Sequence, residues 1–202
     1  MAFSTKNILE GYEIILASQS PRRVNLLKSL KIDFEVEPAD INENICKKNS
    51  PKRYVQTLAS KKAEKIALKY KNTSKIIIGA DTIVVLDNQV INKPSTELEA
   101  FNMLKKLSGR HHFVYTGIAV FNTKTNKIIT DFSRTCVHFR ELSNEEILEY
   151  VAGGKTLDKA GSYGIQDDYG ALFVKKIEGC YNNVIGLPLE LLWRNILKIS
   201  LE

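Results

Sequence analysis

Apolar positions follow two different rhythms along this chain, and the places where the rhythm changes outline its elements. A short run, Tyr12-Glu13-Ile14-Ile15-Leu16, predicts a strand, and residues 21–30 predict a helix. Ser20 suits the N-cap of that helix and Pro21 its first turn. Asp33-Phe34-Glu35-Val36-Glu37 alternates as a strand does, Pro38 ends it, and Ala39 to Glu43 reads as a loop carrying carboxylates. Ser50-Pro51 opens a second helix, to about residue 70, with an apolar stripe of Val55, Leu58, Ala59, Ala63, Ile66 and Ala67. Residues 75–86, Lys75-Ile76-Ile77-Ile78-Gly79-Ala80-Asp81-Thr82-Ile83-Val84-Val85-Leu86, form a nearly continuous apolar run rich in β-branched residues, the pattern of a strand buried on both faces.

The second half is read in the same way. Asp87-Asn88 makes a turn and Val90 to Pro94 a short returning strand. Residues 97–107 predict a helix with the stripe Leu98, Phe101, Leu104 and Leu107, ended by Ser108-Gly109. Residues 112–122 and 127–140 form a hairpin across Thr123-Lys124-Thr125-Asn126, and Ser143-Asn144-Glu145-Glu146 caps a helix to about residue 151. Residues 171–177 read as a strand, and Tyr181 to Pro188 leads into a last helix, to about residue 199. No repeat, low-complexity linker or composition shift marks a domain boundary, so residues 1–202 are expected to form a single domain.

Several charges break these apolar patterns. Lys62 falls inside the stripe of the second helix, between Leu58 and Ile66, and needs an anionic partner or a snorkelling route to water. Asp81 stands in the middle of the apolar run 75–86, where a charge is paired, metal-bound or neutralised. Inward ionisable groups of this kind are candidates for function. Arg22 and Arg23 carry the wrong sign for a helix N-terminus unless an anion sits there. Two serines, two guanidiniums and open N–H groups at a strand-to-helix turn can cradle a phosphate. Lys93 is expected near the same end of the sheet.

Composition narrows the classes. The 202 residues are 44% hydrophobic, enough for a real core, and no stretch approaches the about 20 apolar residues of a membrane span. The first eleven residues lack the apolar stretch of a signal peptide, which suggests a cytoplasmic protein. Cys46, Cys136 and Cys180 form neither a zinc spacing nor a disulfide framework. His111 and His112 adjoin in a strand and so face opposite sides, and His138 stands alone, so a metal here would be bound by oxygen. The net charge of +6 is concentrated between Lys47 and Lys75, with ten Lys or Arg against Glu64 alone. Such a run is a solvated helix face, a nucleic-acid surface or a site for a phosphorylated small molecule; no aromatic interleaving, zinc-finger spacing or RNP-like motif accompanies it. Gly154-Lys155-Thr156 ends like a P-loop, but residue 149 is Glu where a glycine is needed and a helix precedes it where a strand is needed. The ATPase reading is therefore rejected. Five of the eleven glycines lie between Gly153 and Gly170, where the backbone can approach a ligand closely.

Taken together, Ala17-Ser18-Gln19-Ser20-Pro21-Arg22-Arg23 with Leu26-Leu27, Gly79-Ala80-Asp81-Thr82, Lys93-Pro94, Asp158-Lys159-Ala160-Gly161-Ser162-Tyr163-Gly164-Ile165-Gln166 and Val184-Ile185-Gly186-Leu187-Pro188 resemble the Maf (septum formation) family of nucleoside triphosphate pyrophosphatases. The match runs in order over nearly the whole chain. The resemblance implies an α/β fold: a mixed, mostly long-stranded twisted sheet flanked by helices, in two lobes with a central cleft, like inosine triphosphate pyrophosphatases. It implies a homodimer and a divalent cation, Mg²⁺ or Mn²⁺. By position, Asp81 matches the catalytic acid, and Arg22, Thr82 and Gln166 match the positions marking the dTTP/UTP-cleaving branch. Ser18, Arg23, Glu43, Lys62 and Lys93 match its pocket, with Glu43 and Asp81 expected at the metal. The chain departs from the family at Gly153-Gly154-Lys155-Thr156 and at Asp167, where glycine usually follows the glutamine.

The expected reaction is attack of a water, oriented by Asp81, on the α-phosphorus of a nucleoside triphosphate, releasing pyrophosphate. The expected substrates are dTTP, UTP and modified pyrimidine nucleotides. The alternatives are the same chemistry on another base such as 7-methyl-GTP, and a nucleotide-binding regulator of cell division. Neither nucleic acid nor a membrane is expected as a partner.

Overall fold

The computed structural model describes residues 9–42, 50–154, 156–167 and 169–201. Among them seven strands form one mixed sheet in the order β2-β1-β3-β5-β6-β7, with β4 paired to β3. The strands are β1 Glu13–Leu16, β2 Glu35–Val36, β3 Lys75–Leu86, β4 Gln89–Ile91, β5 His111–Asn122, β6 Lys127–Phe139 and β7 Val174–Glu178. The helices are α1 Pro21–Lys28, α2 Pro51–Ala67, α3 Glu97–Leu107, α4 Asn144–Ala152, α5 Gly170–Phe173, α6 Tyr181–Ile185 and α7 Leu189–Ser200.

The chain forms two compact units. The first comprises residues 1–81, 116–133 and 186–202, the second residues 82–115 and 134–185. Three of the four crossings fall inside β3, β5 and β6, which explains why no linker composition marks them.

In the first unit β1 lies parallel to both β2 and β3, with Ile15 opposite Ile77 and Glu35. Strand alternation sends Ile14, Leu16, Ile76, Ile78, Ala80, Ile118 and Val120 to one face, where Leu27 of α1 and Leu192, Ile196 and Ile199 of α7 cover them. Ile15, Ala17, Ile77 and Ala119 face the other way, against Ala59, Ala63, Ile66 and Ala67 of α2. Two glycines set how close α2 comes. A Cβ on Gly79 would stand 2.2 Å from the Ala59 carbonyl oxygen, and one on Gly117 would stand 2.3 Å from that of Val55. The basic run is dispersed over local partners. Lys65 donates to the Asp40 carbonyl, Lys69 to Glu37 and Lys75 to Glu13, while the Lys52 ammonium sits over the Phe132 ring.

In the second unit Val84, Leu86, Val114, Val137 and Phe139 of the strands pack with Ala100, Leu104 and Leu107 of α3 and Ile147, Tyr150 and Val151 of α4. Asp87 (φ 49) and Asn88 (φ 62) form the two-residue turn joining β3 to β4, both left-handed as such hairpins require. The capping box at Ser143 and Glu146 is formed as the sequence indicates. His112 is fully buried and pairs through Nε2 with the Tyr163 hydroxyl at 2.8 Å.

Five sequence expectations need correction. The strand at 33–37 shrinks to Glu35–Val36 and that at 90–94 to Gln89–Ile91. Residues 170–173 are a helical turn before β7 rather than part of the strand. Leu98 is 70% exposed, and the buried stripe of α3 runs through Ala100, Leu104 and Leu107 instead. His138 is not alone: its ring centroid lies 5.7 Å from that of His111 across the β5–β6 hairpin.

Two predictions follow from the packing. Gly117→Ala should cost about 3 kcal/mol through overpacking against α2, read as a lowered thermal midpoint; an unchanged midpoint contradicts the close approach. For His112, burial above all, with smaller contributions from His111 and His138, lowers the imidazole from 6.5 to about 3. Between those values the unfolded chain binds a proton that the folded chain does not, so its contribution is complete above about pH 6.5 and is lost as the pH falls. Unfolding free energies from urea titration should drop by up to about 1.4 kcal/mol per pH unit from about pH 6.5 to 4.5, and His112→Gln should flatten that slope.

Candidate active site

Period-two geometry in β3 fixes the position of the buried acid. Ile77, Gly79 and Asp81 share the face turned to α2. Ala59, Lys62, Ala63 and Ile66 lie along one face of α2, spaced three and four residues apart. Where Gly79 lets the helix sit close, the next inward position of the strand meets the next charged position of the helix. Lys62 Nζ donates to Asp81 Oδ1 at 2.7 Å, with the residues 9% and 6% exposed. The two charges that the sequence left looking for partners are thus partners of each other. A pair of inward charges of opposite sign on neighbouring elements was the available signal for this contact.

Beside the pair, the turn from β1 into α1 is held by its own side chains. Ser20 occupies the N-cap position, but its side chain makes no capping bond. Instead the Ser20 N–H donates to Ser18 Oγ at 3.2 Å. Arg23 Nη1 donates to the same oxygen at 3.2 Å and to the Ala80 carbonyl at 3.0 Å, and Arg23 Nε donates to the Gly186 carbonyl at 2.8 Å. Arg23 thereby ties α1 to β3 one residue before Asp81 and to the segment that leads into α7. Its guanidinium does scaffold work that the sequence reading, which gave it to phosphate, did not contain. Arg22, its neighbour, is half-buried. Ser18, Arg23, Lys62 and Asp81 are therefore brought together in the first unit.

The remaining candidates lie elsewhere in the chain. Thr82 follows Asp81 on β3, is half-buried, and by alternation faces the opposite side of the strand. Lys93 is exposed just beyond β4, whose antiparallel register on β3 carries it back towards Thr82. Gln166 is exposed in a turn of the second unit. Glu43 lies outside the described residues.

The Gln166 turn has a support that sequence reasoning missed. Lys159 is 6% exposed and its Nζ lies 3.0 Å from Asp167 Oδ2 and 3.2 Å from Asp158 Oδ1. The Tyr150 hydroxyl donates to Asp167 Oδ2 at 3.4 Å and accepts the Gly164 N–H at 3.2 Å. Burial, reinforced by the Asp167 charge and opposed by the Gly164 N–H, pushes the Tyr150 phenol up to about 12, so it stays a donor. Just ahead of the turn, Gly161 (φ 72) and the buried Ser162 (φ 66) are left-handed, the latter a strained conformation for a residue with a side chain. A lysine inside a glycine-rich segment, flanked by acids, was the only sequence signal for this cluster.

A pocket of about 490 Å³ in the second unit is lined by His111, Phe113, Arg134, Cys136, His138 and Glu178. None of these residues belongs to the candidate set. Among the described residues no group of three or more His, Cys, Asp or Glu side chains is arranged to hold a metal. Nor is any helix among them long and apolar enough to cross a membrane.

The sequence model of the Maf-like proteins matches residues 13–199. The chain is 50% identical over 178 residues to the dTTP/UTP pyrophosphatase of Dictyoglomus turgidum, covering 88% of this chain and 91% of that protein. It is 50% identical over 186 residues to the dTTP/UTP pyrophosphatase of Thermoanaerobacter sp. (92% and 95% covered) and 48% identical over 181 residues to that of Thermotoga maritima (90% and 86%). Among solved structures, a HAM1 protein from Coxiella burnetii aligns over 94% of this chain and 97% of its own, with 14% identity and a TM-score of 0.48.

Removing one member of a buried ion pair strands the other, whereas removing both together relieves much of the loss. Lys62→Met alone should cost about 3 kcal/mol by urea unfolding, and Lys62→Met with Asp81→Asn distinctly less. Additive losses would show that the two charges are not coupled.

Proposed function

The chain belongs to the Maf-like protein family, and we propose that it is a nucleoside triphosphate pyrophosphatase, cleaving its substrate to the nucleoside monophosphate and pyrophosphate, with dTTP and UTP as the best common substrates. Relatives named for that activity, matched over about nine-tenths of the chain, support the reaction class. The observation in this chain that carries the reading is the buried Lys62–Asp81 pair beside the Ser18–Arg23 turn. It sets a carboxylate of fixed orientation next to hydroxyl and cationic groups suited to phosphate oxygens.

In the proposed reaction Asp81 orients a water through its carboxylate and accepts its proton. The water oxygen bonds to the α-phosphorus in line as the bond to the bridging oxygen breaks, and pyrophosphate departs with the bonding pair. Lys62 holds the carboxylate in place, and Ser18, Arg22, Arg23, Lys62 and Lys93 meet the phosphate oxygens. Arg23 also braces the turn through its bonds to Ala80 and Gly186. Thr82, Arg22 and Gln166 select the base. The Gln166 amide offers both a donor and an acceptor, which match O4 and N3–H of uracil or thymine.

Asp81, and by the family resemblance Glu43, would hold a hard cation, since carboxylates offer it oxygen only and Mg²⁺ is usually bound by few protein carboxylates. When bound, Mg²⁺ or Mn²⁺ would neutralise charge on the phosphates. The same proposal places the enzyme in the cytoplasm as a homodimer; sedimentation velocity reads the oligomeric state.

The test is pyrophosphate release from a panel of common and modified triphosphates with Mg²⁺ and Mn²⁺. Asp81→Asn, on protein shown folded by circular dichroism, should lose roughly a thousandfold in kcat. Turnover within tenfold of wild type removes Asp81 from the chemistry. A purine triphosphate, including 7-methyl-GTP, that exceeds dTTP and UTP in kcat/KM overturns the base preference and leaves the reaction class standing.

A further inference from the structure

Gln166 sits at the third position of a tight turn, Gly164-Ile165-Gln166-Asp167, closed by the Asp167 N–H on the Gly164 carbonyl at 3.0 Å. Gly164 and Ile165 of this turn are buried, Ile165 in the core, and Gln166 is exposed. The turn is fastened by a side chain at its last residue. Asp167 sends its carboxylate inward, to the ammonium of Lys159 at 3.0 Å and the hydroxyl of Tyr150 at 3.4 Å. The Tyr150 hydroxyl also takes the N–H of Gly164, the first residue of the turn, so one buried phenol touches both ends of it. The packing leaves no slack: a Cβ on Gly164 would stand 2.4 Å from Asp167 Oδ2, and one on Gly170 would stand 2.2 Å from the Gly164 carbonyl oxygen. Lys159 is itself held between Asp158 and Asp167, with its side chain 7% exposed.

We propose that Asp167 is a positioning residue for base selection: bound to Lys159 and Tyr150, it locks the Gly164–Asp167 turn and so fixes the direction from which Gln166 presents its amide. The inference rests on the reading that Gln166 touches the base. Its physical basis is positional: with both ends of the turn held, the Gln166 amide stands at a set place that a base of another size does not meet, while the amide still turns over about its own bond to suit cytosine or uracil. Discrimination against an analogue is strong only when the polar groups of the site are held so that the wrong ligand leaves them unsatisfied. Fixing the backbone on both sides of Gln166 restricts where that amide can go.

Asp167→Asn keeps the size of the side chain and removes its charge, and Tyr150→Phe removes only the hydroxyl. Each should lower the UTP-to-ATP ratio of kcat/KM at least tenfold and should speed amide hydrogen exchange across residues 164–167. Asp158→Asn is the control. Asp158 touches the same lysine but does not close the turn, so this variant should leave the ratio within twofold. Asp167→Glu, which retains the charge, should restore part of the discrimination lost in Asp167→Asn. Faster exchange with an unchanged ratio shows a purely structural contact and overturns the proposal, as does an equal loss in Asp158→Asn. If the wild-type enzyme favours a purine, only the base preference proposed above fails, and the variants are judged on the purine-to-pyrimidine ratio. If it shows no preference among bases, both fail.

Discussion

The first unit depends on one constraint: an acid and a base must be kept out of water at the same point between a helix and a strand. Lys62 and Asp81 are buried as each other's partner. That demands a helix close enough for an ammonium to reach a carboxylate at 2.7 Å, and α2 is that close because Gly79 and Gly117 have no side chains beneath it. A buried ion pair of this kind is poor evidence for stability, since well-packed apolar residues serve as well. What it does is orient a carboxylate. The stability comes from the layers on either side, with Ile15 and Ile77 under α2 and Ile14, Ile76 and Ile118 under α1 and α7.

Around that pair, polar side chains also brace the backbone. Arg23 uses two of its nitrogens on the carbonyls of Ala80 and Gly186, one residue before Asp81 and at the entrance to the last helix. In the second unit Lys159, Asp167 and Tyr150 hold the turn that carries Gln166. Sites that bind a highly charged ligand benefit from such bracing, because a group already held in place loses little freedom when the ligand arrives. In the proposed reaction Arg23 would serve both purposes, holding the turn and meeting phosphate.

Much of this was legible before any coordinates. Strand β3 and the β5–β6 hairpin announced themselves through long β-branched runs and a polar four-residue turn, and α2 through its stripe. The inward placement of Lys62 and Asp81 followed from periodicity alone. Short elements fared worse. The strand at Glu35–Val36 and the turn of helix at Gly170–Phe173 are decided by neighbours, since two to four residues carry too little pattern to select a state. The exposure of Leu98 depends on which face of α3 meets the sheet, and the contact of His138 with His111 depends on cross-strand register.

By itself, then, the sequence determined the fold class, the run of major elements, the family and the residue types of the proposed phosphate site, because those rest on local periodicity and on motifs contiguous in the chain. Only the tertiary structure decided which charges meet. That Lys62 answers Asp81 across nineteen positions, that Arg23 reaches Gly186 across 163, and that Lys159 fastens the turn beside Gln166 are matters of packing distance and direction. Electrostatic partnership falls off within a few ångströms in space, and separation along the chain does not report it.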